Sequence, residues 1–294
     1  MRSLLFVPGD SERKQAKALS FGADALILDL EDSVSPDRKT DAREMTRAFL
    51  AAQALTEKRP RLYVRINAMD TPWWQGDVEA VMTARPDGIM LPKSRSGEDV
   101  HALSVMLDHA EQQSGAPRGS TRILPIATEI AISLLNMASY VGASARLSGI
   151  TWGAEDLSAN VGSSTSREAD GTFTSPYRLA RDLCLFTAVA AEVAPVDTVY
   201  AAVRDMAGFE RECVTSARDG FTAKMAVHPD QVAIINRVFS PSAEELARAE
   251  AIVKVFEGAR ETGVAVLDGQ MLDRPHLLKA ERLLARARAS GLVT

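Results

Sequence analysis

The chain has 294 residues, of which 46% are hydrophobic and 25% charged, and its formal net charge is -5. This composition is typical of a soluble enzyme with one large α/β barrel or two domains, and the scattered Lys and Arg residues argue against a nucleic-acid or acidic-membrane surface. Two cysteines without CxxC spacing, Cys184 and Cys213, indicate reduced thiols and no disulfide framework. The apolar opening at residues 4–7 stops at Pro8-Gly9, which is too short for a signal or membrane segment, so we expect a cytoplasmic protein.

Short β-rich runs alternate with helical stretches along the first 230 or so residues. The predicted strands lie at 3–7, 25–28, 62–66, 88–91, 122–126, 147–152, 195–199 and 220–227, with helices such as 12–20, 38–55, 98–113 and 178–192 between them. Eight such alternations predict a (β/α)8 TIM barrel, although a doubly wound open sheet would show the same alternation. No GxGxxG follows the first strand and no GxxxxGK[ST] occurs, so dinucleotide and nucleoside-triphosphate sites are not expected.

The pattern changes after the last predicted strand. Helices are predicted at 230–239, 243–261 and 275–290, with a connection at 263–273 between the last two. We therefore divide the chain into a barrel domain at 1–239 and a C-terminal helical arm at 240–294.

Polar side chains gather at the ends of the predicted strands. In a barrel, the residues that follow the strands meet at one mouth, where the chemistry of such enzymes is placed. The residues at or just beyond the strand ends are Asp29, Glu31, Asp32, Arg65, Asn67, Lys93, Glu129, Asp156, Lys224 and His228. This gathering favours the barrel over the open sheet.

Glu129 and Asp156 follow two successive predicted strands. A pair of carboxylates suits Mg2+, a hard cation that prefers oxygen ligands. The alternative is that each carboxylate only caps the helix after its strand. Four histidines without HxxH or HExxH spacing argue against zinc.

Arg65 ends the third predicted strand, where a guanidinium suits a substrate carboxylate or a developing oxyanion. An internal ion pair with Asp29, Glu31 or Asp32 is equally compatible with its position, and both roles can hold together. The three acids themselves admit two interpretations, a catalytic acid or a network that orients Arg65 and metal-bound water. We favour the second.

Five segments in register resemble a known family. They are 2–9 (RSLLFVPG), 29–34 (DLEDSV), 152–157 (WGAEDL), 228–231 (HPDQ) and 268–273 (DGQMLD). Together they resemble the citrate lyase beta-subunit-like branch of the HpcH/HpaI aldolase superfamily, which includes malyl-CoA and citramalyl-CoA lyases. The resemblance implies a TIM barrel with a C-terminal helical arm, assembled as a homotrimer or hexamer.

The resemblance also implies site residues. Glu129 and Asp156 become the Mg2+ ligands, with Mn2+ as an alternative ion. Arg65 becomes the residue that binds the oxo-acid part of the substrate, and Asp273 an acid on the arm that reaches a neighbouring subunit's site. Ile130 and Ser133 depart from the Thr and Gly that family members often carry there, so the shape and polarity of the oxo-acid pocket are not defined by the resemblance.

The implied activity is a reversible, Mg2+-dependent cleavage of a short 3-hydroxyacyl-CoA thioester, of malyl-CoA or citramalyl-CoA type, to acetyl-CoA and a 2-oxo acid. Three alternatives stay open: a citrate lyase beta subunit acting on a citryl-acyl-carrier protein, a net malate synthase or thioesterase, and a non-catalytic barrel that binds a CoA ester. The sequence does not identify the residues that contact CoA, although Arg13, Lys14, Lys17 and Lys93 are basic candidates.

Overall fold

The computed structural model describes residues 1–258 and 263–289. Within the first of these ranges, eight parallel strands form one sheet in the order β5-β4-β3-β2-β1-β8-β7-β6. The strands are β1 Ser3–Pro8, β2 Ala25–Asp29, β3 Arg61–Arg65, β4 Gly88–Leu91, β5 Arg122–Pro125, β6 Gly149–Thr151, β7 Ala194–Asp197 and β8 Ala223–Ala226. Each predicted strand is therefore present, in most cases within one to three residues of its predicted ends.

The two edge strands of this sheet, β5 and β6, meet and close it. The Ala127 N–H donates to the Thr151 carbonyl at 2.8 Å, and the Ser148 N–H donates to the Ile123 carbonyl at 3.0 Å. Two isolated parallel bridges accompany these bonds in place of a continuous ladder. The closed sheet confirms the predicted (β/α)8 barrel, and the open doubly wound alternative is wrong.

Helices alternate with these strands and surround the barrel. They are α1 Glu12–Ala18, α2 Lys39–Gln53, α3 Trp74–Met82, α4 Gly97–Ser114, α5 Ala131–Leu135, α6 Ala154–Val161, α7 Ser175–Ala190, α8 Met206–Asp219 and α9 Asp230–Val238. The sequence determines their ends locally: in α4, the Ser96 side chain accepts from the Glu98 N–H, and Gly115 ends the helix at φ +66°. No helix in the described ranges is long and apolar enough to span a membrane.

The interior of the barrel is filled by apolar side chains from the strands. Alternate residues of each strand point inward, so successive strands contribute to shared layers. The buried cluster contains Leu4, Ile27, Tyr63, Met90, Leu124, Val196 and Met225, among others. This packing makes the barrel interior a core, which confines ligand binding to the mouth.

The chain separates into two compact units, 1–236 and 237–294. The second contains α10 Ala243–Gly258, β9 Val264–Leu267, β10 Gln270–Asp273 and α11 Arg274–Ala289. Parts of the predicted helices, at 259–261 and 290, lie outside the described residues. The domain boundary at 239/240 stays a prediction.

The segment 263–273, which lies between the last two predicted helices, contains a β-hairpin that the sequence analysis did not predict. β9 and β10 pair antiparallel as a hairpin, and Asp268 and Gly269 form its turn with φ values of +50° and +75°. Asp-Gly is a favoured pair for such a turn because both positions need positive φ. One hairpin face packs inward, with Ala265 and Leu272 buried against Phe256 of α10.

Candidate active site

Arg65 and Asp29 form the central ion pair of the site. They end the neighbouring strands β3 and β2 and are aligned in register. Arg65 Nε lies 2.7 Å from Asp29 Oδ1, and Nη2 lies 2.8 Å from Oδ2. Burial acts to raise the pKa of the Asp29 carboxyl, but the bonds from Arg65 outweigh it and lower that pKa. The predicted internal ion pair of Arg65 therefore exists.

A third contact completes the fixation of the guanidinium. Arg65 Nη1 lies 3.0 Å from Glu31 Oε2, and the guanidinium carbon lies 4.9 Å from the centre of the Phe6 ring. Burial acts to lower the pKa of Arg65, whereas its bonds to Asp29 and the charge of Glu31 raise it well above its usual range. Arg65 is thus held as a permanent cation in one orientation.

Lys93 links Glu31 and Asp32, in the loop after β2, to Asp156. Its Nζ lies 2.6 Å from Glu31 Oε1, 3.1 Å from Asp156 Oδ1 and 3.4 Å from Asp32 Oδ2. Burial raises the pKa of Glu31 to about 6, despite the two nearby cations. The predicted network of Glu31 and Asp32 around Arg65 therefore also includes a lysine.

Glu129 lies in the loop after β5, almost fully buried. Its Oε2 accepts a hydrogen bond from the Lys93 main-chain N–H. Burial, followed by the charges of Glu31 and Asp156, raises the pKa of Glu129 to about 8. A side chain at Gly153 would approach Glu129 to 2.8 Å, so glycine is needed there. Asp156 lies in the first turn of α6, with its side chain 33% exposed.

Most of these residues, though not Glu31 or Lys93, line one cavity of about 400 Å³. Its polar lining includes Asp29, Asp32, Arg65, Glu129 and Asp156, and its apolar lining includes Phe6, Ile126 and Met225. A cavity of this size, apolar with a few convergent charges, is typical of a small-molecule site. The structure thus brings together the acid network, the arginine and both proposed metal ligands.

The residues present fit a divalent ion with oxygen ligands. Glu129 is a buried acid whose pKa is raised, and a bound cation would supply the positive charge that favours its ionised form. Across residues 1–258 and 263–289, no group of three or more His, Cys, Asp or Glu could hold a metal ion. A two-carboxylate site of this kind leaves most coordination positions to water and substrate, as Mg2+ sites commonly do.

Two residues that the sequence placed at the mouth lie elsewhere. Lys224 is fully buried in β8, where its Nζ lies 2.6 Å from Asp197 and 3.0 Å from Glu212 of α8. Asn67 donates from its side chain to Asp77 of α3 at 2.7 Å. Both side chains point to the helix layer, so their interpretation as mouth residues is wrong.

Lys93 is the mouth residue whose role the sequence did not indicate. It was placed at a strand end and named among basic candidates for CoA contact, whereas the structure shows it in contact with both proposed metal ligands. The available signal was its position directly after Leu91-Pro92, at the end of the fourth strand. Lys39 also supports this region, because its Nζ donates to the Leu30 and Glu31 carbonyls at 2.8 and 2.7 Å.

Asp273 belongs to the 237–294 unit, as the last residue of β10. Its Oδ1 lies 2.5 Å from His276 Nδ1, one turn into α11. It shares a hairpin face with the cross-strand pair Val266 and Met271, which are 65% and 72% exposed. Its participation in a site stays a prediction.

Comparisons with known proteins identify the family. Residues 2–229 match HpcH/HpaI aldolase/citrate lyase. The chain is 35% identical to citrate lyase subunit beta of Leuconostoc mesenteroides subsp. cremoris, over 99% of this chain and 95% of the relative. It is 37% identical to a (3S)-malyl-CoA thioesterase of Cereibacter sphaeroides, over 98% and 95% respectively.

A solved structure agrees over the whole length. Protein CitE from Mycobacterium tuberculosis, in complex with magnesium, acetoacetate and coenzyme A, superposes with a TM-score of 0.77 at 34% identity and 98% coverage of both chains. The fold and these relatives define a TIM-barrel lyase. The chain belongs to the HpcH/HpaI aldolase/citrate lyase family, which confirms the predicted resemblance.

Proposed function

We propose that the protein is a Mg2+-dependent carbon–carbon lyase that cleaves a short 3-hydroxyacyl-CoA thioester, of malyl-CoA or citramalyl-CoA type, to acetyl-CoA and a 2-oxo acid. The observation that carries the proposal is the shared cavity. The guanidinium of Arg65, fixed by Asp29 and Glu31, opens onto the same space as Glu129 and Asp156. A relative that contains magnesium, acetoacetate and coenzyme A supports the choice of ion and substrate class.

Glu129 and Asp156 would hold the ion through carboxylate oxygens. When bound, Mg2+ would supply Lewis-acid polarisation of the substrate oxygens and a template for their orientation. Arg65 would bind the oxo-acid end and stabilise negative charge on its oxygen. Because its orientation is already fixed by two acids, it would do so without reorganisation during the reaction. Asp29 would act on the substrate only through Arg65.

Asp273 would transfer the proton at carbon. As the carbon–carbon bond breaks, the 3-hydroxyl loses its proton to solvent and the departing acetyl-CoA enolate takes up a proton from a carboxylic acid; in the reverse direction the carboxylate removes that proton from acetyl-CoA. We propose that Asp273 of an adjacent subunit acts in both directions, within a homotrimer or hexamer. The exposed apolar pair Val266 and Met271 beside Asp273 supports this arrangement, because exposed apolar surface marks interaction sites.

The test is a cleavage screen with purified protein on malyl-CoA, citramalyl-CoA and 3-methylmalyl-CoA, with glyoxylate, pyruvate and CoA products identified by mass. We expect turnover of at least one thioester with Mg2+ and none after chelation, restored by added Mg2+. Glu129→Gln is the matched control, because it keeps the size of the side chain and removes its charge. Equal turnover with and without chelator would contradict the proposal.

Two of the alternatives are each supported by a relative. The chain is 35% identical to a citrate lyase beta subunit and 37% identical to a (3S)-malyl-CoA thioesterase. Cleavage of a citryl-acyl-carrier protein but of no free CoA thioester would identify the subunit role. Release of free CoA and the intact hydroxy acid from the thioester would identify a thioesterase, and formation of free malate and CoA from acetyl-CoA and glyoxylate would identify a net malate synthase. Binding of CoA esters without any turnover would identify a non-catalytic barrel.

A further inference from the structure

Lys93 has an unusual main-chain conformation. Its φ is +49°, in the left-handed region that residues with a side chain seldom adopt. In this conformation its N–H donates to Glu129 Oε2 inside the cavity wall. Strained backbone of this kind persists only where the surroundings impose it, and it concentrates at functional sites. The strained main chain therefore points to a functional role for Lys93.

The side chain of Lys93 supplies an answer. Its Nζ lies 3.1 Å from Asp156 Oδ1 and 2.6 Å from Glu31 Oε1. One residue thus contacts both proposed metal ligands, Glu129 through the main chain and Asp156 through the ammonium. The ammonium thus already pairs with Asp156, the carboxylate that would hold an ion together with Glu129.

We propose that Lys93 is a positioning residue that serves as the internal cation of the metal-free site and gives up Asp156 when Mg2+ binds. The inference rests on the proposed metal-dependent function and deepens it. Carboxylates gathered at one mouth repel one another, and the ammonium offsets that repulsion until the ion arrives. After the exchange, Lys93 keeps its contact with Glu31, so its charge stays in the acid network.

The exchange has a measurable consequence. In this proposal the ion takes Asp156 from the ammonium and enters a site that the ammonium has made less negative. Removal of the ammonium alone should therefore tighten metal binding, by roughly tenfold for one unit charge at this range. The same removal should lower the melting temperature of the metal-free protein, since the acids lose a counter-charge.

Mn2+ is the probe, with its dissociation constant measured by calorimetry and by paramagnetic resonance of the free ion on the full chain. Lys93→Met removes the ammonium, whereas Lys93→Gly also relieves the left-handed main chain and retains the N–H to Glu129. Both should tighten Mn2+ binding. Lys93→Arg keeps the charge and should bind as the wild type does. Lys58→Met, at an exposed lysine between α2 and β3, controls for net charge and should change nothing.

Each outcome decides the matter. Unchanged or weaker Mn2+ binding in the Met and Gly variants would overturn the role of Lys93, while binding by the wild type would leave the metal site standing. A wild type that binds Mn2+ no better than Glu129→Gln and Asp156→Asn would overturn the metal-dependent function and this inference with it. If Lys93→Met does not fold, the Gly variant still decides, because glycine suits the main chain there.

Discussion

Asp29 and Arg65 are bound by two parallel hydrogen bonds, and their positions at the ends of adjacent parallel strands make this geometry a direct result of strand register. The guanidinium cannot rotate without breaking both bonds and its contact with Glu31. A cation at the mouth is thus oriented by the barrel itself.

Arg65→Lys should reduce kcat/KM by about 10²-fold or more, because an ammonium cannot keep two bonds to Asp29 while it contacts substrate. Steady-state kinetics on the best thioester would measure the loss. Arg43→Lys is the matched control, since Arg43 pairs with Asp77 in the helix layer. It should lower the melting temperature and leave kcat/KM within about twofold. Equal kinetic losses in both variants would show that Arg65 acts only through stability.

Glu129→Gln should raise the melting temperature of the metal-free protein. Burial disfavours the ionised carboxyl, as its pKa near 8 indicates, and a neutral amide avoids that cost. The increase in melting temperature on Mg2+ addition should disappear in the same variant. Differential scanning fluorimetry with and without Mg2+ measures both effects. Asp156→Asn, at a one-third exposed site, should also lose the Mg2+-dependent increase, but its melting temperature without metal should rise little. A lower melting temperature of metal-free Glu129→Gln than of the wild type would contradict the prediction.

Low pH should remove the stabilisation that a buried ion pair, Arg146 with Glu111, gives to the fold. Arg146 Nη1 and Nη2 lie 2.7 and 2.6 Å from the oxygens of Glu111. Burial acts to raise the pKa of Glu111, but the bonds from Arg146 and from two main-chain N–H groups lower it to about 2. A lowered carboxyl pKa means that this stabilisation is complete above the unfolded value, near 4.5, and is lost as pH falls towards 2.

Glu111→Gln should therefore lower the free energy of unfolding by about 3 kcal/mol at pH 6. The difference from the wild type should shrink steadily below pH 4.5 and nearly vanish at pH 2, as urea unfolding at each pH would show. A difference that stays constant with pH would mean that the variant acts through packing, and not through the charge of Glu111.

The proposed action of Asp273 on a neighbouring subunit can be tested by mixing. Arg65→Ala and Asp273→Asn should each be inactive, with Mg2+ binding intact in the second. If arm and barrel of different chains form one site, co-refolded mixtures should recover activity in about a quarter of their sites. Mixing folded oligomers without exchange is the control. No recovery in exchanged mixtures would place Asp273 with its own barrel or outside the site.

The barrel was predictable because its strands are short, apolar and each followed by a polar turn, so that periodicity alone located all eight. Glu129 and Asp156 were placed near each other by the same logic. Their pairing suggested a metal site, the resemblance gave them that role over helix capping, and the role stays a prediction. Lys224 shows what strand prediction alone does not give. Side chains alternate along a strand between the barrel interior and the helix layer, so an error of one residue places a side chain on the wrong side of the strand.

Other features depend on contacts that the sequence does not display. Lys93 acquires its position from a left-handed main chain and from acids that follow three different strands. The hairpin around Asp268-Gly269 was not predicted, although Asp-Gly between short apolar runs is a local signal for such a turn. The pairing of Asp29 with Arg65, by contrast, was one of the alternatives that the sequence offered. The register of β2 against β3 selects it, because it places the two residues side by side.

The seam between β5 and β6 is joined by a few main-chain bonds and two isolated bridges, whereas most of the other strand pairs form ladders of three or more aligned residues. Glu129 follows one side of this seam and Asp156 the other. Two carboxylates that share an ion would therefore link β5 to β6, where the main-chain pairing of the barrel is discontinuous, and would stabilise its closure. Hydrogen exchange at the amides of Ala127 and Ser148 should slow when Mg2+ is added. Slower exchange would show that metal binding and the pairing of β5 with β6 are thermodynamically coupled.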